Sequence, residues 1–269
     1  MTERSALQKF IGQHRRLFIL TGAGCSTSSG IPDYRDADGR WKRMQPVTYQ
    51  AFMGEEATRR RYWARSLIGW RRFRRARPND THRALARLEA KGGSELLLTQ
   101  NVDRLHQAAG SAGVIDLHGR IDQVRCMGCG RRSPRDELQD ELGRSNADWL
   151  DLDAADAPDG DVDLESADFS SFIAPSCRRC GGVLKPDVVF FGESVPPGRV
   201  DAAARGLDEA DAMLIVGSSL MVYSGFRFVQ RAASAGKPVA AVNLGRTRAD
   251  ALLTLKAEQA CEAALAFLL

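Results

Sequence analysis

Short apolar runs alternate along the chain with longer segments in which apolar residues recur at helical spacing. Short apolar runs are typical of buried strands, whereas longer periodic segments predict amphipathic helices. The predicted strands are residues 17–20, 95–101, 114–119, 188–191, 212–216 and 238–243. The predicted helices lie within residues 48–77, 82–91, 102–109, 201–207, 223–235 and 249–269. This alternation predicts an α/β fold with a Rossmann-like, doubly wound parallel sheet, which binds ligands at the carboxyl ends of its strands.

The pattern changes between residues 120 and 184, where strand-like pieces and an aspartate-rich stretch replace the buried strands. Two Cys-X-X-Cys pairs lie in this segment, Cys126 with Cys129 and Cys177 with Cys180. Two such pairs complete a tetrahedral zinc site that has no open position, so the zinc is expected to be structural. We predict a small zinc-ribbon module interrupted by an acidic insertion at residues 136–168. A redox role for the pairs is the minor alternative.

The first predicted strand leads directly into a glycine-containing turn that carries hydroxyl side chains. Gly22, Ala23 and Gly24 form a turn in which the backbone can approach an anion closely. Ser26 and Thr27 follow near the predicted start of a helix, where a phosphate is well placed. The usual dinucleotide fingerprint has a third glycine at a fixed spacing, and this chain has none there. The pattern alone therefore fits an ordinary glycine turn equally well.

Polar side chains also follow the next two predicted strands. Gln100, Asn101 and Asp103 come where a strand gives way to a helix, the expected position of ligand-binding residues in this fold. His118 ends the third predicted strand, and an imidazole with an ordinary pKa near 6.5 can act as a general base at neutral pH. Taken alone, Asn101 or Asp103 serves equally well as a helix cap, and His118 as a buried packing residue.

Together, these segments closely resemble the signatures of the sirtuins, the NAD-dependent protein-lysine deacylases. The first signature is matched in order from Gly22 to Arg35, and residues 100–103 and the pair His118-Gly119 follow at suitable distances. The resemblance implies NAD as co-substrate, His118 as the general base, and Asn101 and Asp103 as the other catalytic residues. The implied cofactor-binding residues are Gly22, Ala23, Gly24, Ser26, Thr27, Asp33, Tyr34, Arg35, Gln100, Asn101, Asp103, Gly217, Ser218, Ser219, Asn243, Leu244, Gly245 and Cys261.

Later segments extend the resemblance over nearly the whole chain. Residues 185–193 are similar to the family's Pro-X-Val-Val-X-Phe-Gly-Glu segment, with Lys185 where an arginine is often found. The resemblance implies that this strand edge pairs with the backbone of an acyl-lysine protein substrate by β-augmentation. The implied substrate-binding residues are Val189, Phe190, Phe191, Gly192, Glu193, Leu220 and Val222. Residues 221–228 look closest to class II sirtuins, which include bacterial and mitochondrial lipoamidase-like members of varied acyl preference. The Tyr-X-X-Arg pair of desuccinylating relatives is absent, which argues against a dedicated succinyl or malonyl pocket but leaves Lys42 or Arg43 able to contact an acidic acyl group.

Charge is unevenly distributed, although the net charge is only +4. Residues 59–77 carry arginines interleaved with aromatics and no acid, whereas residues 136–168 are strongly acidic. The basic segment predicts a solvated amphipathic helix pair, with attraction of acidic protein partners and a nucleic-acid surface as alternatives. No apolar run approaches the roughly 20 residues that cross a bilayer. We expect a cytoplasmic protein without a membrane partner, and the oligomeric state does not follow from the sequence.

The sequence therefore predicts an NAD-dependent protein-lysine deacylase that transfers the acyl group to ADP-ribose and releases nicotinamide. Its predicted NAD-binding domain comprises residues 1–119 and 185–269, with a helical module at about 45–78, and its zinc-binding domain comprises residues 120–184. Protein ADP-ribosyltransferase activity is the alternative. A non-catalytic zinc and basic-patch nucleic-acid-binding protein is a more remote one.

Overall fold

A computed structural model describes residues 2–42, 46–152, 155–164 and 167–269. The chain divides into two compact units. Unit 1 comprises the described residues of 1–44, 77–117 and 195–269, and unit 2 those of 45–76 and 118–194. Unit 2 thus includes residues 185–194 and the helical segment, whereas the domain limits predicted from the sequence stay a prediction. Within the described ranges, no helix combines the length and apolar character that a membrane crossing requires.

Unit 1 is built around a six-stranded parallel sheet, as the sequence predicted. Its strands are β1 (Leu17–Thr21), β2 (Ser94–Thr99), β3 (Val114–Asp116), β9 (Ala212–Val216), β10 (Val239–Val242) and β11 (Leu255–Ala257). Their order across the sheet is β11-β10-β9-β1-β2-β3. Chain order therefore reverses between β1 and β9, and in sheets of this kind ligands bind in the crevice at that point, outside the carboxyl ends of the strands.

Both faces of the sheet are buried, which explains the unbroken apolar sequence of β1. Leu17 and Ile19 belong to the core on one face, whereas Phe18 and Leu20 belong to the core on the other. The helices of unit 1 are α1 (Glu3–Gln13), α4 (Asp80–Ala90), α5 (Leu105–Ala108), α7 (Pro197–Glu209), α8 (Tyr223–Ser234) and α9 (Cys261–Leu265). Residues of α1, α4 and α9 complete the first core, and residues of α7 and α8 complete the second. Helices thus cover both faces of the sheet, and the carboxyl ends of β1 and β9 lie side by side within it.

In the described part of the chain, unit 2 combines three helices with a small antiparallel sheet and a separate strand pair. Its elements are α2 (Tyr49–Gly54), α3 (Glu56–Phe73), β4 (Gly119–Cys126), β5 (Arg132–Pro134), α6 (Arg135–Ser145), β6 (Asp156–Ala157), β7 (Asp161–Val162) and β8 (Leu184–Val188). The sheet order is β5-β4-β8, and β6 pairs with β7. The strand predicted at residues 188–191 shares only Val188 with β8, so both its bounds and its place in the parallel sheet were wrong. A short apolar run does not encode the direction of its partner.

The acidic insertion packs against the arginine-rich helix α3. Arg65 Nε donates to Asp161 Oδ1 at 2.8 Å, and Arg71 Nη1 donates to the Leu150 carbonyl at 2.7 Å. A Cβ on Gly69 would collide with the Gly160 carbonyl oxygen. Arg65 and Arg71 therefore have hydrogen-bond partners within the chain. The sequence did not indicate that the basic and acidic segments pack on each other.

Three further local predictions were wrong. The terminal helix predicted at residues 249–269 contains β11, a sixth strand, before the short α9. The helix predicted to follow the first glycine turn is replaced by two 3-10 turns, Ala23–Cys25 and Thr27–Ser29. The helix predicted at residues 102–109 begins only at Leu105, in α5. Asn79 caps α4 by accepting a hydrogen bond from the His82 backbone N–H at 3.3 Å.

Candidate functional site

Two glycine turns interlock at the carboxyl ends of β1 and β9. Gly22 N–H donates to the Val216 carbonyl at 3.1 Å, and Gly24 N–H donates to the Gly217 carbonyl at 2.9 Å. A Cβ on Gly22 would lie 2.7 Å from the Ser218 Cβ, and one on Gly24 would lie 2.9 Å from the Gly217 Cα. Both glycine N–H groups are therefore satisfied within the protein, at residues 216 and 217, and the approach of this turn to an anion stays a prediction. The glycines let two backbones meet where a dinucleotide is expected to bind.

Asn101 and Asp103 hold the first glycine turn from the end of β2. Asn101 Nδ2 donates to the Gly22 carbonyl at 2.9 Å and to Ser26 Oγ at 3.1 Å. Ser26 Oγ in turn donates to Asp103 Oδ2 at 2.6 Å. Burial raises the pKa of Asp103, and the hydrogen bond from Ser26 partly offsets this rise. The structure thus brings together three residues that the sequence had placed in two separate motifs.

Gln100 reaches the second glycine turn in the same way. Its Oε1 accepts a hydrogen bond from Ser218 Oγ at 2.6 Å, and Ser218 Oγ also accepts one from the Leu220 backbone N–H at 3.2 Å. Leu220 has a left-handed backbone, with φ 58°, although it is not glycine. The backbone strain of such a residue persists only where its surroundings over-determine it, and it is found most often at functional sites. Ser219 lies between Ser218 and Leu220 in the chain, and its carbonyl accepts a hydrogen bond from the Arg248 N–H at 2.9 Å.

A buried polar network behind these residues was missed by sequence reasoning. Thr21 Oγ1 donates to Thr99 Oγ1 at 2.9 Å and also contacts His106 Nε2 at 2.9 Å. Thr99 Oγ1 accepts from the Asn101 N–H at 3.1 Å, so the network supports the catalytic candidate directly. Asn79 Nδ2 donates to the Cys25 carbonyl at 2.7 Å and supports the glycine turn from α4. A threonine at the end of each of two neighbouring strands was the available signal.

The segment that follows the first glycine turn folds back on itself. Lys42 Nζ donates to Asp33 Oδ1, and Arg43 lies outside the described residues, so contact of either residue with an acidic acyl group stays a prediction. Arg35 Nη1 donates to the Gly39 carbonyl at 2.7 Å, and its guanidinium lies 3.9 Å from the centre of the Trp41 ring. Burial lowers the pKa of Arg35. The Tyr34 and Trp41 rings pack edge to face, with their centroids 6.0 Å apart, and this contact brings the two ends of the segment together.

The remaining predicted cofactor residues lie at the end of β10 and in α9. Asn243 Nδ2 donates to the Leu244 carbonyl at 2.9 Å, and Leu244 itself is 62% exposed. Gly245 has φ 77°, and a Cβ there would collide with the Ala37 carbonyl oxygen. Cys261 begins α9 and is buried in the same core as Cys25, where burial raises the pKa of the Cys25 thiol. Cys25 is therefore a packing residue of this core.

In unit 2, His118 and the predicted substrate-binding segment are joined through the backbone. His118 lies between β3, which ends at Asp116, and β4, so the strand predicted at residues 114–119 was too long. The His118 carbonyl accepts a hydrogen bond from the Val189 N–H at 2.7 Å. Gly119 has φ 86° and pairs with Val188. The general-base candidate thus adjoins the segment predicted to bind the acyl-lysine chain.

That segment, residues 189–193, is also held by the helical part of unit 2. Tyr49 N–H donates to the Phe191 carbonyl at 2.8 Å, and Gln50 Nε2 donates to the Gly192 carbonyl at 3.0 Å. The Phe190 ring packs on those of Phe52 and Tyr62, with centroids 5.1 and 5.4 Å apart. Sequence reasoning missed this aromatic cluster because its members are far apart in the chain.

The four predicted zinc ligands converge in unit 2. The sulfur atoms of Cys126, Cys129, Cys177 and Cys180 all lie within 4.8 Å of one another. Cys126 and Cys180 sulfurs are 3.5 Å apart, and those of Cys129 and Cys177 are 3.9 Å apart. Tetrahedral zinc with four thiolates requires separations of about 3.8 Å. The cluster therefore fits a structural zinc site with no position left for a substrate.

The model of the Sir2 family matches residues 22–224, which include both glycine turns, His118 and the four cysteines of the predicted zinc site. The chain belongs to the Sir2 family. Among similar Sir2 proteins, "NAD-dependent protein deacetylase 2" of Bradyrhizobium diazoefficiens is 74% identical over 264 residues, which cover 98% of this chain and 97% of the relative. The "NAD-dependent protein deacetylase" of Xanthomonas campestris is 70% identical over 263 residues, which cover 98% of this chain and 90% of the relative.

Solved Sir2 structures agree with this membership. A Sir2 complex with a p53 peptide and NAD+ is 29% identical, with a TM-score of 0.78 over 99% of this chain and 97% of that one. A Sir2 variant with a deacetylated p53 peptide and 3′-O-acetyl ADP-ribose is 30% identical, with a TM-score of 0.79 over 99% of this chain and 96% of that one. The resemblance read from the sequence is therefore confirmed at the level of the family and the fold.

Proposed function

We propose that this Sir2 protein is an NAD-dependent protein-lysine deacylase, which transfers the acyl group from lysine to ADP-ribose and releases nicotinamide. The observation that carries the proposal is the 74% identity, over nearly the full length of both chains, to a relative named as an NAD-dependent protein deacetylase. The interlocked glycine turns support it, since they bring amide, hydroxyl and carboxylate side chains together at the switch point of the sheet.

Within unit 1, the proposed roles follow from the side chains that surround the glycine turns. Asn101, Asp103 and Asp33 would orient NAD so that C1′ of the nicotinamide ribose is exposed to attack by the acyl-lysine amide oxygen. Holding two reactants in this way removes much of the entropic barrier to a reaction with so weak a nucleophile. The other proposed nucleotide contacts are those of the two glycine turns, Asp33-Tyr34-Arg35, Gln100, residues 243–245 and Cys261.

In unit 2, His118 is the proposed general base that deprotonates the ribose hydroxyls, so that the acyl group moves from lysine to ADP-ribose. Residues 189–193, with Leu220 and Val222 of unit 1, are proposed to bind the backbone of an acyl-lysine protein. The four cysteines would hold zinc for structure only. We further propose a cytoplasmic location and a class II acyl preference, with acetyl through lipoyl chains as candidates.

The test combines purified protein, NAD and a panel of acyl-lysine peptides, with products identified by mass spectrometry. We expect free nicotinamide, unmodified lysine and acyl-ADP-ribose in equal amounts. ADP-ribose attached to the peptide or the protein would instead establish the transferase alternative. An unchanged peptide and intact NAD across the panel would refute both.

The role of His118 is tested by His118→Ala. We expect the variant to bind NAD, measured by calorimetry, with an affinity like that of the wild type, but to lose about 10²- to 10⁴-fold in peptide deacylation, since that is the usual contribution of a general base. Normal turnover by the variant would refute the assignment.

A further inference from the structure

Lys185 is a charged residue in the interior of unit 2, on β8. Its side chain is only 4% exposed, and Nζ lies 3.0 Å from Glu193 Oε2. Nζ also donates to the Pro186 carbonyl at 3.3 Å and to the Val188 carbonyl. An ammonium group has three donors, so these three acceptors satisfy it completely.

The partners of Lys185 surround the segment proposed to bind the acyl-lysine substrate. Glu193 Oε2, which accepts from Lys185, also accepts from the Phe190 backbone N–H at 2.9 Å. Glu193 N–H donates back to the Phe190 carbonyl at 3.0 Å, and the Lys185 ammonium lies 4.6 Å from the centre of the Phe190 ring. One buried cation therefore fixes both ends of the turn from Phe190 to Glu193.

This arrangement is an expensive way to stabilise a fold. Taking the lysine ammonium out of water is costly, and apolar residues of similar volume are often as stable or more so. What the ion pair does provide is a direct link from β8 to the 190–193 turn, because Glu193 Oε2 accepts from both Lys185 Nζ and the Phe190 N–H. The same turn is held from outside by Gln50, which donates to the Gly192 carbonyl at 3.0 Å.

We propose that Lys185 is a positioning residue for the acyl-lysine substrate, acting through Glu193 to fix the backbone of the segment that the substrate pairs with. The inference rests on the proposed function, since it names a residue that controls one substrate of that reaction and leaves the other, NAD, unaffected. Lys185 itself is not proposed to contact the acyl-lysine amide or the ribose of NAD.

The experiment compares Lys185→Met with Lys237→Met, measuring KM and kcat separately for NAD and for an acetyl-lysine peptide. Lys237 is a matched control in unit 1, because its ammonium also has three acceptors, the carbonyls of Leu207, Asp208 and Ala210. We expect Lys185→Met to lower kcat/KM for the peptide about 10- to 100-fold, the cost of misplacing a substrate by roughly 1 Å, with the KM for NAD within about twofold of wild type. Lys237→Met should change neither KM.

Lys185→Arg keeps the charge and should recover most of the peptide kcat/KM. If Lys185→Met does not fold, Glu193→Gln supplies the test, because it keeps an acceptor for Phe190 N–H but removes the charge that pairs with Lys185. An unchanged kcat/KM for the peptide in a folded variant, or equal losses of kcat/KM for peptide and NAD, would overturn the inference. A wild-type protein without deacylase activity would instead refute the proposed function.

Discussion

A single methyl group at Gly24 would disrupt the meeting of the two glycine turns, because its Cβ would lie 2.9 Å from the Gly217 Cα. Backbone atoms cannot rotate away as a flexible side chain can, so the two turns must separate. We expect Gly24→Ala to destabilise the protein by about 1–3 kcal/mol, as overpacking does, and to abolish binding of ADP-ribose measured by calorimetry.

The matched control is Gly12→Ala in α1, where nothing lies within 4 Å of the added Cβ. That variant should be more stable by up to about 1 kcal/mol, since alanine favours helix, and should bind ADP-ribose normally. Equal melting temperatures of Gly24→Ala and wild type would show that the turns tolerate a wider separation.

His82 links acid sensitivity to the core behind the glycine turn. It is fully buried, with its ring 4.7 Å from that of His106, and burial lowers its pKa to about 4, with a smaller effect from Arg83. Because the folded pKa lies below the unfolded value of 6.5, the neutral ring stabilises the fold above pH 6.5. This contribution, about 3 kcal/mol at most, is lost as the pH falls towards 4.

We therefore expect urea midpoints of the wild type to fall steeply between pH 6.5 and 4. His82→Gln should be less stable at pH 7.5 but should show a shallower fall, with a residual slope from His106, whose pKa burial also lowers. Between pH 7 and 8 the two slopes should coincide. Parallel curves over the acid range would contradict the assignment.

At the scale of elements, Arg135 joins α6 to α3. Its side chain is buried between the rings of Trp63 and Trp70, whose centres lie 5.4 and 5.3 Å from the guanidinium carbon, and Nη2 donates to Ser66 Oγ at 3.1 Å. Burial lowers the pKa of Arg135 to about 10. Nη1 is buried without a hydrogen-bond partner in the described part of the chain.

Arg135→Lys keeps a buried charge but loses the planar stacking, so we expect a loss of about 1–3 kcal/mol. Arg135→Met removes the desolvation cost and keeps an apolar stem, and should cost less than the lysine variant. Denaturant unfolding of the two variants gives the comparison. A methionine variant that is the less stable of the two would show that the cation itself is required.

Elements with strong local signals were predictable from the sequence. Strand β9 was predicted with its observed bounds because Ala212–Val216 is an apolar run between polar flanks. Strand β11 was missed, because Leu255–Ala257 contains Lys256 and adjoins residues that favour helix. Its strand state depends on pairing with β10, a contact between distant parts of the chain. Likewise, the two glycine turns could be located from the sequence. Their contact with each other could not be predicted, because the hydrogen bonds of each turn are made by the other.

At the scale of the whole molecule, zinc is expected to stabilise unit 2 and the nucleotide to stabilise unit 1. Cys126→Ser should abolish zinc content and reduce the protection of β4, β5 and β8 against hydrogen exchange, since structural zinc contributes directly to folding. ADP-ribose at 100 times its Kd should add about 2.7 kcal/mol to the stability of the sheet of unit 1.

Cys261→Ser is the control, because Cys261 lies in the core of unit 1 and outside the cysteine cluster. It should retain full zinc content, measured by atomic absorption. Full zinc in Cys126→Ser, with unchanged exchange in β4, would contradict a structural metal site.

The interlocked turns also bear on attempts to change which nucleotide the protein accepts. Gly22, Gly24 and Gly217 are each enclosed by backbone within 3 Å of where a side chain would begin, so substitutions there alter the scaffold itself. Leu244, which follows β10 and is 62% exposed, carries no such constraint. A library designed for altered recognition should therefore randomise exposed positions such as Leu244 and leave the glycines as they are.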